Sequence, residues 1–303
     1  MKNRKIYLVV FALLFALIGN AQVSVGVKKY KGSGKIEPQE LEQLKKTTTV
    51  FILRDKEDEG LLQDYEKAFT SSWKITPYKV VTKEMGKDYI NKPEYSCFIF
   101  SKESITHNNG MDSHGIVTTS TEDFYFYKLV LKNNGKDKVL ASIDYSSDPE
   151  KAHEPAVTES IKPVYLKVYL AMIDSYLTNG TTISSDNSNN DISEMKNLST
   201  ETLYLPDNVL ISVKHSQFST KTSVIPEKEE VVMKNYTYPY KIISEDELYE
   251  KLLKSDKPFY FVIMTFHGIY KSYTVFNSQT NKIVAGHFGD MEMLAKNIKK
   301  SLK

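Results

Sequence analysis

Apolar residues recur along this chain with two periods, and each period predicts one kind of element. Runs of β-branched and aromatic residues predict strands, beginning with residues 48–53. Apolar residues at every third or fourth position predict helices, as in the stripe formed by Leu61, Tyr65 and Phe69. Along the chain this pattern predicts strand, helix, strand, helix, strand, hairpin and helix, and then the same order again.

Three short strings occur twice in the same order and support this repeat. They are residues 76–82 with 238–244, 92–95 with 257–260, and 138–141 with 282–285. Three matches in one order predict two copies of a single folding unit. We therefore predict an α/β fold of the α+β type, in which each repeated unit carries a mixed sheet.

A chain of 303 residues has room for two domains of ordinary size. Residues 48–178 and 201–303 form the predicted units. Residues 179–200 are rich in Asn, Ser and Thr and offer few apolar side chains to bury, so they predict a linker. Residues 22–47 are polar and predict a flexible N-terminal segment with a brief helix over 37–46.

The first residues have the features of a secretory signal. Lys2, Arg4 and Lys5 precede an almost unbroken apolar run over residues 6–18, and Ala21 ends a small-residue cleavage site. This arrangement predicts a signal peptide over residues 1–21, cleaved after Ala21, and a periplasmic or secreted bacterial protein. No later segment has the length and apolar character of a membrane span.

The charge and the cysteine content exclude nucleic-acid binding and an internal disulfide. The formal net charge is +2, and removal of three positive residues with the signal leaves −1. Such a chain lacks the basic surface of a nucleic-acid-binding protein, so we expect no nucleic-acid partner. The single cysteine, Cys97, cannot form an internal disulfide, and in a predicted core strand we expect it to be a small buried hydrophobe.

The offset between the two copies falls by about 21 residues between the third predicted strand and the hairpin after it. We attribute the difference to a polar loop over residues 101–122, and long loops on a repeated scaffold are common sites of function. In this loop His107, Asp112 and His114 are candidate binding residues. Their spacing matches no recognised zinc motif, so we predict no metal ligand here.

The chain has 20 tyrosines, and many fall in predicted strands. Because side chains alternate across a sheet, we expect half of these to lie on its outer face. Tyrosine is enriched at protein contacts. The candidate residues for such a partner-binding face are Tyr125, Tyr127, Tyr270 and Tyr273.

Motifs of the common enzyme classes are missing from the sequence. It contains no hydrolase elbow, two-cysteine redox motif, dinucleotide fingerprint or metalloprotease helix. We therefore expect no enzymatic activity and no cofactor. His267 and His287 fall on or near predicted strands of the second unit and can approach one another, although a histidine on a strand more often has a structural role.

The predicted order of elements resembles the small α/β domain at the N-terminus of the periplasmic Tol translocation protein. Similar domains occur in the curli-secretion channel subunit family and in lipoprotein activators of wall synthases. The resemblance is carried by the first helix leading into residues 76–81 and by the closing hairpin over 275–285. It implies a non-catalytic envelope domain that docks onto other proteins. This chain lacks the anchor cysteine of the lipoprotein members, and a thioredoxin-like arrangement is the rival fold.

These features predict an exported, non-catalytic binding or assembly protein of the cell envelope. We expect an envelope protein or a glycan as its partner, while the oligomeric state is left open. Two alternatives remain. One is a metal-dependent hydrolase that uses the loop over residues 101–122, and the other is a small-ligand sensor with a cleft between the units and the linker as hinge.

Overall fold

A computed structural model describes residues 23–25, 36–54, 56–111, 117–133, 135–144, 161–179, 191–215, 222–267 and 270–303, with residues 104–111 and 117–124 described by their backbone alone. The strands are β1 (Val23–Val25), β2 (Thr48–Ile52), β3 (Tyr78–Val81), β4 (Tyr95–Met111), β5 (Val117–Asn133), β6 (Lys136–Asp144), β7 (Leu203–Pro206), β8 (Ile211–His215), β9 (Thr222–Pro226), β10 (Tyr240–Ile243), β11 (Tyr260–His267), β12 (Tyr270–Asn277) and β13 (Ile283–Phe288). The helices are α1 (Pro38–Lys45), α2 (Leu62–Ser72), α3 (Lys83–Gly86), α4 (Pro163–Thr178), α5 (Ile192–Met195), α6 (Glu229–Val232), α7 (Glu245–Lys254) and α8 (Met291–Ser301).

Apart from the additional edge strand β1 in the first, the two large sheets have the same topology, which confirms the predicted fold class. The first sheet has the order β1-β6-β5-β4-β2-β3, and the second has the order β10-β7-β11-β12-β13. In each sheet the first strand of the unit is parallel to both of its neighbours, and the remaining large pairings are antiparallel. The molecule therefore contains two similar units with mixed sheets.

Backbone hydrogen bonds show which residues of the two units are equivalent. The amide of Thr49 donates to the carbonyl of Pro77 at 2.8 Å, and the amide of Leu203 donates to Pro239 at 3.1 Å. Thr49 lies opposite Ser96, whereas Leu203 lies opposite Tyr260. Ser96 is thus equivalent to Tyr260, one residue later than the repeated Lys-Pro string suggests. The difference matters because a shift of one residue moves every side chain of a strand to the other face of the sheet.

Helix α4 lies between the units and belongs to the core of both. It is apolar on nearly all sides, as expected of a helix enclosed by other elements. One continuous apolar cluster joins it to helix α2 and strand β5 of the first unit and to α7 and β11 of the second. The outer face of the second sheet packs on α5 and α8 in a separate cluster. The final helix of the first unit, α4, therefore packs on the face of the second sheet that points away from α8. Equivalent faces of the two sheets point in the same direction along the stack.

Polar contacts at both ends of α7 fix this stack. Glu245, in the first turn of α7, forms an ion pair with Lys162 and accepts a hydrogen bond from the Tyr165 hydroxyl at 2.7 Å. At the other end the Lys167 ammonium donates to the Leu252 carbonyl at 2.7 Å. Burial raises the pKa of Tyr165 and lowers the pKa of Lys167. Both side chains are thus enclosed by the contact between the units.

A chain of buried hydroxyl groups ties together the starts of the three parallel strands in the first unit. The Trp73 indole donates to the Thr76 hydroxyl at 2.8 Å, which lies 2.6 Å from the hydroxyl of Thr49. Thr49 contacts Ser96 at 2.9 Å, and Thr47 donates to Ser96 at 2.9 Å. All five side chains are buried. Because each polar atom finds a partner, the chain fixes the register of β2, β3 and β4 without a desolvation penalty.

Two sequence-based boundaries need correction. The N-terminal segment is not flexible at Val23–Val25, because this strand pairs with β6 and buries Val25 completely. The brief helix predicted in that segment is confirmed as α1. The predicted linker ends earlier than residue 200, because α5 and the turn after it bury Met195 and Leu198 in the second core. Short amphipathic turns of this kind carry too few apolar residues to stand out in a polar stretch.

Candidate functional site

The stretch predicted as a polar loop is instead a long antiparallel ribbon. Strands β4 and β5 stay paired from Ser96 opposite Leu131 to Met111 opposite Val117. Strand β2 accompanies β4 only as far as Phe98, and β6 accompanies β5 only between Asn133 and Phe126. The ribbon past Ser101, called the arm below, consists of residues 102–111 and 117–125. At about 3.3 Å per residue it extends about 30 Å beyond the sheet.

The arm is rooted in a buried ion pair at the carboxyl end of β2. The Arg54 guanidinium lies 3.6 Å from the Asp58 carboxylate, and both side chains are almost fully buried. Asp58 also accepts the backbone amide of Arg54 at 3.1 Å and the hydroxyl of Tyr127 at 3.2 Å. Since Tyr127 lies on β5 opposite Phe100, this network connects the loop after β2 to both strands where they leave the sheet.

Aromatic rings and cations complete the base of the arm. The rings of Phe100 and Tyr125 stack with centroids 5.9 Å apart and an interplanar angle of 9°. The Arg54 guanidinium lies 5.9 Å from the Phe100 ring, and the Lys102 ammonium lies 5.9 Å from the Tyr125 ring. Cations at this distance from a ring are attracted by its electron-rich face. The first residues of the arm are therefore held in one arrangement.

The second unit has an equivalent hairpin that carries no arm. Strand register makes Tyr273 equivalent to Tyr127, and both are buried. Near Tyr273 the Lys271 ammonium forms an ion pair with Glu227. Burial raises the pKa of Tyr273, and the Glu227 carboxylate adds to the rise. In this unit β11 and β12 end their pairing at His267 and Tyr270, with two residues between them.

The chemistry of the arm base is that of anchoring. Asp58 receives two hydrogen bonds and the charge of Arg54, so its oxygen atoms are engaged in holding the loop and the strands. The Tyr127 hydroxyl donates a hydrogen bond to that carboxylate. A carboxylate held in this way in the interior is not positioned to take a proton from a substrate, because geometric access comes first in general-base catalysis. These contacts hold the loop after β2 against Tyr127 at the base of the arm.

The candidate loop residues fall on the arm and its tip. His107 lies on β4 opposite Ser120 in the backbone register. Asp112 and His114 lie outside the described residues. Within the described ranges, no three His, Cys, Asp or Glu side chains come together in a group able to hold a metal ion. A binding role for the three residues stays a prediction.

Three of the four candidate tyrosines are buried, so the expectation of an exposed face is wrong for these three. Tyr125, Tyr127 and Tyr273 are 8%, 0% and 2% exposed. Period-two alternation places residues on two faces, but both faces of these sheets are covered where the tyrosines lie. Phe126, between Tyr125 and Tyr127, is also buried. The side chain of Tyr270 lies outside the described set.

The expectation for Cys97 is confirmed. Its side chain is buried in a small cluster with Val50, Ile52 and Val81 on the α3 side of the first sheet. Burial raises the pKa of the thiol to about 11. The thiol is thus protonated at neutral pH, and a protonated thiol is a poor nucleophile. The side chains of His267 and His287 are outside the described set, so their proposed approach stays untested.

Neither Arg54 nor Asp58 was among the residues predicted from the sequence to form a site. A clue was present, since the chain contains 40 Lys and Arg residues of which only Arg4 and Arg54 are arginine. A single arginine directly after a predicted buried strand is a candidate for a buried ion pair, because its planar guanidinium suits such pairs better than lysine. Its partner could not be chosen from several nearby acids.

None of the helices in the described ranges is long and apolar enough to cross a membrane. Comparisons of this chain with protein-family models, with curated proteins and with solved structures gave no match. The resemblance to the Tol-type domain therefore stays a prediction from the order of elements.

Proposed function

We propose that this chain is an exported, non-catalytic binding or assembly protein of the bacterial cell envelope, and that the arm is its recognition element. The observation that carries the proposal is the difference between two otherwise matching hairpins. Between equivalent residues, the first unit has 20 residues (104–123) where the second has two (268–269). Extensions on a repeated scaffold that do not join its core are common sites of binding.

The root of the arm supports this proposal. Burying the Arg54–Asp58 pair is costly unless its charges are paired and hydrogen-bonded, and Asp58 accepts hydrogen bonds from the Arg54 amide and the Tyr127 hydroxyl. The network holds Tyr127 and, through its ring contacts, Phe100 at the start of the ribbon. A ribbon that is ordered before contact loses less conformational entropy on binding.

The apolar stack of the units supports a binding protein over the hinged sensor. Ligand sensing in a cleft needs two separately packed units that can move apart. Here helix α4 shares one apolar cluster with both sheets, and polar contacts close both ends of α7. Export is supported by the basic and apolar start of the chain with its cleavage site at Ala21.

Site-specific photo-cross-linking in intact cells tests the proposal. A photoreactive amino acid would replace Thr106 or Thr119 in the arm, with Gln63 on the exposed side of α2 as the matched control. We expect discrete adducts from the two arm positions and none from position 63. Equal adducts from all three positions, or none from the arm, would contradict a recognition role. A metal-dependent hydrolytic activity lost in His107→Ala would replace the proposal with the hydrolase alternative.

A further inference from the structure

The exposed edges of the sheets are protected everywhere except along the arm. Strands β3 and β10 have four residues each, follow Pro77 and Pro239, and carry the exposed lysines Lys79 and Lys241. Short length, proline and lysine are the usual means by which proteins prevent an edge strand from pairing with another chain. Strand β1, at the edge of the first sheet, has three residues.

The edge strand β13 is contacted by another segment of the same chain. The carbonyl of Val284 accepts the backbone amide of Asp191 at 3.1 Å, and Asp191 begins α5 beside this strand. The second sheet is therefore met at this edge by its own chain. The small sheet of β8 and β9 has strands of only five residues, which contain Lys214 and Pro226. This leaves the two long sides of the arm as the contrasting case among the described strands.

The arm lacks the protective features. Residues 104–111 and 117–121 contain no proline and no Asp, Glu, Lys or Arg. Past Ser101, each of its strands pairs only with the other among the described residues. Threonine and other β-branched residues are frequent in it, and they favour extended backbone. Uncharged, proline-free strands with unpaired backbone groups are suited to strand addition.

From this contrast we infer that the arm is a strand-pairing surface whose partner is the arm of a second copy of this chain. The charged residues of the arm, Lys102, Glu103, Glu122 and Asp123, lie at its base. Over residues 104–111 and 117–121 two identical ribbons therefore meet without like-charge repulsion, whereas recognition of a different protein commonly uses complementary charge. Two identical edges that meet in antiparallel orientation form a closed, two-fold contact. The contact leaves both stacked cores unchanged. This inference rests on the proposed function, because it names the partner of the same element.

The experiment measures the mass of the purified mature chain by light scattering at about 100 µM, where a Kd of about 10 µM gives mostly dimer. An arm-shortened variant replaces residues 104–123 with the Gly-Ile pair that occupies 268–269 in the second unit. Two further variants place one lysine on each strand of the arm, Thr106→Lys on β4 and Thr119→Lys on β5. The matched control, Gln63→Lys with Gln279→Lys, adds lysines at exposed positions away from the arm.

We expect the natural chain and the control to have twice the monomer mass, and the shortened variant to be a monomer. We expect one lysine variant to lose at least tenfold in dimer affinity, which identifies the pairing edge. Far-UV circular dichroism and urea midpoints equal to those of the control establish that each variant is folded. A monomeric natural chain, or a dimer that survives removal of the arm, overturns the inference.

The proposed function is judged separately by the cross-links. Arm adducts that contain only a different protein support a recognition role and overturn self-pairing. Arm adducts between two copies of this chain support both.

Discussion

The final helices of the two units, α4 and α8, occupy equivalent places but have opposite surroundings. Nine of the 16 residues of α4 are buried, and they lie on all sides of the helix because a sheet packs on either side. Only four of the 11 residues of α8 are buried, along a single stripe. The same element of one repeated unit is thus a central layer in the first copy and an outer layer in the second. The two units are therefore stacked in one direction, and α8 forms the outer layer at the end of the stack.

The largest expected effect follows from the position of α4. Leu170→Ala removes a fully buried side chain from the cluster shared by both units, and we expect a loss of about 3–5 kcal/mol in the free energy of unfolding. Met293→Ala on α8 is the matched control, because this side chain is 43% exposed and its loss should change stability by about 0.5 kcal/mol or less. Urea unfolding measures both. Equal effects of the two substitutions would contradict the assignment of α4 to a shared core.

The next largest effect is expected at the buried ion pair where the arm leaves the sheet. Asp58→Asn leaves the Arg54 charge buried without its counter-ion, and we expect a loss of about 3 kcal/mol. Asp64→Asn is the control, since its ion pair with Lys67 lies on the surface and should contribute less than about 1 kcal/mol. Replacing both members, as Arg54→Met with Asp58→Leu, should restore part of the stability. If the double variant is less stable than Asp58→Asn, the account of the buried charge is wrong.

Sequence reasoning recovered the fold because the evidence for it is local. Strings such as residues 76–82 and 238–244 carry both strand and cap, and Ser244 accepts the amide of Glu247 as a capping residue should. The stacking of the two units could not be predicted from the sequence, because it depends on which face of a sheet packs against which helix. The sequence pattern predicts a helix at the end of the first unit, but it does not indicate that α4 is buried on both sides. Composition misled at the arm, since Thr, Ser and Asn suit exposed strands as well as loops.

A third prediction uses the hydroxyl chain, which the second unit lacks. Thr49→Val keeps the shape of the side chain but removes the contacts to Thr76 and Ser96, and we expect a loss of about 1–3 kcal/mol. Leu203 fills the equivalent place in the second unit with a buried apolar side chain. Replacing Thr49, Thr76 and Ser96 together by Val, Val and Ala should therefore cost less than the three single changes added. A strictly additive result, measured by urea unfolding, would show that the hydroxyls act independently.

The smallest expected effect concerns Cys97. Because its pKa is raised from 9.0 to about 11 on folding, the folded state keeps a proton that the unfolded state has lost between these values. This contribution to stability is complete below pH 9 and declines as the pH rises toward 11. Cys97→Val should change stability at pH 7 by about 1 kcal/mol or less and make the alkaline decline shallower. An unchanged decline would place the alkaline sensitivity elsewhere, for example at the buried Tyr165 and Tyr273.

The shared core of the two units is tested most directly by hydrogen exchange across a urea titration, read by mass spectrometry. Peptides from β2 and β4 report the first unit, and peptides from β11 and β12 report the second, in the same sample. If α4 is a layer of both, the two sets lose protection together, with one midpoint. Midpoints separated by about 1 M urea or more would show two independent units, and the stacked architecture would be contradicted.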